Sequence, residues 1–140
     1  MHAFKYRVLV IANRTADSSE LQDAMSARCE LGPAAFTLVV PRSGSDPATV
    51  EALVERLRET GFEVDGISAD ADPIVAFREA WDPGRYDEVV VSTLPTEASR
   101  WLQIDLPHRV ARIADAPVTH VVAWSKGQAV AVAASRVMSG

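Results

Sequence analysis

The chain has 140 residues, 48% of them hydrophobic and 24% charged, with a formal net charge of -5. That length fits one domain and allows roughly two thirds of the unfolded surface to be buried, enough for a core without staples. A net acidic balance with scattered basic residues gives no electrostatic footprint for nucleic acid or an anionic membrane, and no run approaches the roughly 18 apolar residues of a membrane span.

Residues 1–7 hold no apolar segment ahead of a cleavage site, which predicts a cytoplasmic protein. The first strand is predicted over residues 7–12 (RVLVIA), apolar on both faces as a sheet covered by helices on both sides requires. A short helix follows, capped by Ser18 or Ser19 and carrying Leu21, Ala24 and Met25. Cys29, near its end, is the one cysteine; it excludes an internal disulfide and reads as a small buried apolar residue. Residues 36–40 (FTLVV) form the second strand.

The second helix has the clearest signals. Asp46 can cap it, Pro47 fits its first turn, and Gly61 follows its end. Val50, Leu53, Val54 and Leu57 form its apolar stripe, and Arg56 and Arg58 among Glu51, Glu55 and Glu59 form its solvated face. Residues 62–67 (FEVDGI) alternate apolar with polar, predicting an edge strand with one wet face. The third helix opens on Asp72-Pro73, sets Ile74, Phe77 and Trp81 on one face, and stops at Asp82-Pro83-Gly84. Residues 88–92 (EVVVS) and 118–123 (VTHVVA) are further two-faced strands. Between them a helix carries Leu102, Leu106, Val110 and Ile113; Pro107 interrupts it, so a kink or two short helices are expected. Residues 125–140 form a tail in which 129–134 (AVAVAA) is too short to assign and is read first as an added edge strand.

Strands and helices alternate throughout 1–124, which predicts one α/β domain built as a three-layer, doubly wound parallel sheet of five strands. Ligands of such sheets bind beyond the carboxyl ends of the strands, where the winding reverses. For the order 3-2-1-4-5 that point lies between strands one and four. The loops meeting there hold Asn13, Arg14 and Thr15 on one side, and Ser92 and Thr93 on the other. Val40, Ser99 and Arg100 complete the expected crevice. Its hydroxyls and free helix amides suit a small anion.

Catalytic signatures do not appear. There is no Walker loop, no G-x-G-x-x-G and no G-x-S-x-G elbow. His2, His108 and His120 have no metal-ligand spacing. His120 reads as a hydrogen-bonded sheet residue, and His108 beside Arg109 as a partly exposed helix residue or a phosphate contact. No catalytic residue and no metal site are assigned.

The order of four segments resembles the universal stress protein family. They are the strand 8–13 (VLVIAN), the stretch 70–74 (DADPI) like the family's G-D-P helix start, the strand 86–91 (YDEVVV) and the ending 116–122 (APVTHVV). The resemblance implies the strand order 3-2-1-4-5, a homodimer often formed through the last strand, and in some members bound ATP. Those members carry G-x-x-G, nine residues, then G-[ST] after strand four. Here residues 92–105 contain no glycine; Ser99-Arg100-Trp101-Leu102 resembles the family's S-R-L-L, and Ile104-Asp105 stand where G-[ST] belongs. Without those glycines the backbone cannot approach phosphate oxygens closely, and Pro95 removes a further amide donor. Asn13 stands in place of the family's acid at the end of strand one.

The expectation is therefore a stress-protein-like regulatory or interaction domain with no enzymatic activity, no cofactor and no ordinary ATP site. Ser99-Arg100-Trp101-Leu102 and the segment 106–109 are a candidate partner surface, and Trp124 a dimer contact. The alternative is a sensor in which Arg14, Arg100 and Arg109 hold ATP, AMP or another small anion through their side chains.

Overall fold

In the computed structural model, the structure describes residues 5–12, 18–41, 47–69, 72–93, 105–123 and 137–139. Five parallel strands lie in the order 3-2-1-4-5: β1 (Tyr6–Ile11), β2 (Ala34–Pro41), β3 (Val64–Ala69), β4 (Glu88–Thr93) and β5 (Val118–Val122). β6 (Val137–Ser139) adds an antiparallel sixth beside β5. Four helices are described: α1 (Ser19–Glu30), α2 (Pro47–Glu59), α3 (Pro73–Ala80) and α4 (Leu106–Ala114). The protein is thus a three-layer, doubly wound α/β fold. No helix among the described residues is long and apolar enough to cross a membrane.

Alternation along β1 separates two cores. Val8, Val10 and Ala12 pack with Leu21 and Met25 of α1 and Val50, Val54 and Leu57 of α2. Leu9 and Ile11 face the other way, onto Ile74 and Phe77 of α3 and Leu106 and Val110 of α4. A right-handed crossover puts helices on one face when the chain winds one way and on the other when it reverses, and the reversal here follows β3.

Local signals set most boundaries. Ser18 caps α1, its Oγ accepting from the Leu21 amide at 3.2 Å. Asp72 caps α3, accepting from the Ile74 amide at 2.8 Å. Gly61, with φ +106°, turns the chain out of α2. The Asp46 cap lies outside the described residues. Pro107 sits in the first turn of α4, where its missing N–H has no intrahelical acceptor to lose; residues 97–104, the earlier part of that expected helix, lie outside the described residues.

Two expectations need correction. Cys29 is exposed, not buried. With 3.6 residues per turn the position in line with buried Leu21 and Met25 is 28, so Arg28 turns inward and Cys29 turns out. Residual desolvation pushes its thiol up. The edge strand begins two residues later than expected, at Val64; Phe62 packs edge-on against Phe36, with ring centroids 5.9 Å apart. The tail does provide an edge strand, although at Val137–Ser139; the run 129–134 lies outside the described residues.

Gly66 of β3 is where α2 approaches the sheet. A Cβ there would stand 2.5 Å from Val54 Cγ2 and 3.0 Å from Val50 Cγ1. A valine in a helix has essentially one χ1 rotamer, so neither methyl can swing away. Gly66→Ala is therefore expected to lower stability by about 1–3 kcal/mol, partly offset by the lower entropy of the unfolded chain. Urea unfolding reads this as a lower midpoint at constant slope; an unchanged midpoint would mean that α2 lifts from β3 without cost.

Candidate functional site

The two ends of the sheet carry polar groups of different kinds. At the carboxyl end, β4 finishes in Ser92 and Thr93, 0% and 2% exposed. Thr93 lies on the α3–α4 face, where its Oγ1 is 2.8 Å from His120 Nε2 of β5. Burial pushes the His120 imidazole below its ordinary 6.5, so it is neutral at physiological pH. His120 is thus the hydrogen-bonded sheet residue expected. Val40 is 1% exposed and packs into the α1–α2 core, so its side chain offers no surface to a ligand. Asn13, Arg14, Thr15, Ser99 and Arg100 lie outside the described residues, as do Trp101 and Trp124.

Near the same end, Asp105 takes a left-handed conformation (φ 58°) at the start of α4. Its carboxylate meets His108 Nδ1 at 3.1 and 3.2 Å and does not cap the helix amides. His108 and Arg109 are exposed. The crossover from β4 to β5 brings this first turn of α4 to the carboxyl end of the sheet.

The amino end holds a cluster that the sequence reading did not single out. Glu88 opens β4 and faces α1, with only 7% of its side chain exposed. Arg28 Nη2 donates to its Oε1 at 2.8 Å and Thr119 Oγ1 donates to its Oε2 at 2.9 Å. The Arg28 guanidinium lies 4.0 Å over the Tyr6 ring, a cation–π contact. Burial first, then the charge and hydrogen bond of Glu88, hold the Tyr6 phenol above its usual range. The signal in the sequence is one acid heading an otherwise apolar strand, which by itself names no partner. No group of three or more potential metal ligands occurs among the described residues.

The cluster supplies a part-buried charge pair in which both carboxylate oxygens are bonded, and the carboxyl end supplies a neutral imidazole that fixes a hydroxyl. Neither arrangement sets a nucleophile beside a charged base and an oxyanion cradle.

Two consequences are measurable. Arg28→Met leaves the Glu88 carboxyl without its cation, and should cost about 2–3 kcal/mol, less than a fully buried pair because the guanidinium keeps some water. Adding Glu88→Gln should restore most of that loss in urea unfolding; a single variant as stable as the parent would show that water reaches Glu88. His120 binds protons less readily folded than unfolded. Its contribution is complete above the ordinary imidazole value and is lost as pH falls through it. The stability lost between about pH 7.5 and about pH 5.5 should shrink in His120→Gln. An equal loss in both proteins would exclude His120 as the source.

No family model matches the chain, and no curated protein matches it. Among solved structures it is similar to one described as AtPrR2 in apo form, with 15% sequence identity and a TM-score of 0.42, over 84% of this chain and 48% of that one. The chain therefore spans about half the length of that structure.

Proposed function

We propose that the chain is a universal stress protein-like regulatory or interaction domain, without enzymatic activity and without an ordinary ATP site. The observation that carries this reading is the strand order 3-2-1-4-5 combined with a glycine-free stretch, residues 94–105, directly after β4. Such a sheet keeps the crevice at the reversal between β1 and β4, and that stretch lacks the backbone freedom to cradle phosphates. Thr93 supports the same reading, because its hydroxyl is committed to His120 inside the sheet. Homodimer formation through the last strand would use β6, since Val137–Ser139 already cover Val118, Thr119 and His120 of β5.

A second reading, a sensor of a nucleotide or another small anion, is favoured by the first turn of α4. Its amides receive no bond from Asp105, and His108 and Arg109 stand exposed beside them.

Native mass spectrometry with thermal unfolding separates the two. An empty dimer whose melting temperature is unmoved by millimolar ATP, ADP, AMP and cyclic nucleotides is expected. A retained nucleotide, or a rise of several degrees with one of them, would overturn the first reading in favour of the sensor.

A further inference from the structure

Between α1 and the amino half of the sheet lies a cavity of about 360 Å³, on the side of the molecule away from the β1–β4 reversal. Its floor is Val8, Val90 and Val121, and Met25 and Phe36 form part of its walls. These five side chains are at most 6% exposed, so the floor belongs to the core. Ala27 and Leu31 of the α1 end stand beside the cavity, Leu31 with 76% of its surface in water. A volume of this size, mostly apolar with a few convergent polar groups, is at the lower end of the range that holds a small organic ligand. Met25 adds a flexible, polarizable wall that adjusts to different shapes.

We propose that this cavity binds a small apolar carboxylate, its body against Met25 and Phe36 and its charge on Arg28. The polar groups choose among ligands. Both oxygens of Glu88 are engaged, one by Arg28 and one by Thr119. A cation would have to displace Arg28 to reach that carboxylate. Arg28 is in the opposite condition. A guanidinium has five N–H donors in a planar fork; here one bond goes to Glu88, and the Tyr6 ring covers a face and not the donor edges. The remaining donors meet no other acceptor among the described residues, and 29% of the side chain is accessible. A carboxylate matches that fork with two parallel bonds. A phosphate dianion fits less well, since a single cation already shared with Glu88 would have to balance it. The proposal is independent of the reading of the β1–β4 crevice.

Naphthylacetate and its uncharged amide, naphthylacetamide, are suitable probes, titrated into the full chain while the Met25 methyl resonance is followed by NMR. A saturable shift is expected with the acid, and binding about ten-fold weaker with the amide, the factor a charge-assisted hydrogen bond supplies. Ala27→Phe, a change on the exposed side of α1, should place a ring in the cavity and abolish the shift while the melting temperature stays near that of the parent. No saturable shift with the acid would overturn the proposal. So would equal affinity for acid and amide, or undiminished binding in Ala27→Phe.

Discussion

The strand β1 is hydrogen-bonded along both edges, to β2 and to β4, and Val8 to Ile11 are buried on both faces. Every other element is placed by what this strand needs. Its left and right neighbours must come from different parts of the chain, so winding proceeds outward through β2 and β3, then returns to start again at β4. Its two faces must each be covered by helices, and the reversal assigns α1 and α2 to one and α3 and α4 to the other. Asp87 holds the junction where the return is made. Its amide donates to the Arg7 carbonyl at 2.7 Å, and its Oδ2 accepts from the Arg7 amide at 2.9 Å, which fixes the approach to β4 against β1.

That arrangement makes the ends of the sheet chemically unequal. At the carboxyl ends of β4 and β5 the enclosed polar groups among the described residues are neutral: Ser92, Thr93 and an imidazole whose burial keeps it uncharged. Neutral hydrogen-bonding groups can be enclosed at low cost when each has a partner. At the amino end a full charge, Glu88, is enclosed, and it is tolerated because Arg28, Thr119 and Tyr6 converge on it. The same side chains, Arg28, Glu88 and Thr119, line the cavity beneath α1.

The expected crevice and the cavity differ in how they could be foreseen. The crevice follows from the strand order that the family resemblance implies; the structure places Ser92, Thr93 and Val40 at the strand ends and shows that Val40 serves the core. The cavity rests on Arg28, Glu88 and Thr119, which are 60 and 31 positions apart in their pairings. An arginine in the last turn of a helix reads as favourable to the helix dipole, and a glutamate at the head of a strand reads as solvated. Only their meeting across the α1–sheet interface makes them a part-buried pair.

By itself the sequence determined the alternation of strands and helices, the two-faced burial of β1, β4 and β5, the edge position of β3, and the caps at Ser18 and Asp72. These depend on side-chain periodicity and on groups within a few residues of one another, so they are written in the local pattern. Tertiary structure alone decided that Arg28 turns inward and Cys29 outward, that His120 holds Thr93, that β6 covers β5, and that a cavity remains beneath α1. Each of these depends on which distant segment lies opposite, and that is set by the packing of whole elements, which no local pattern encodes.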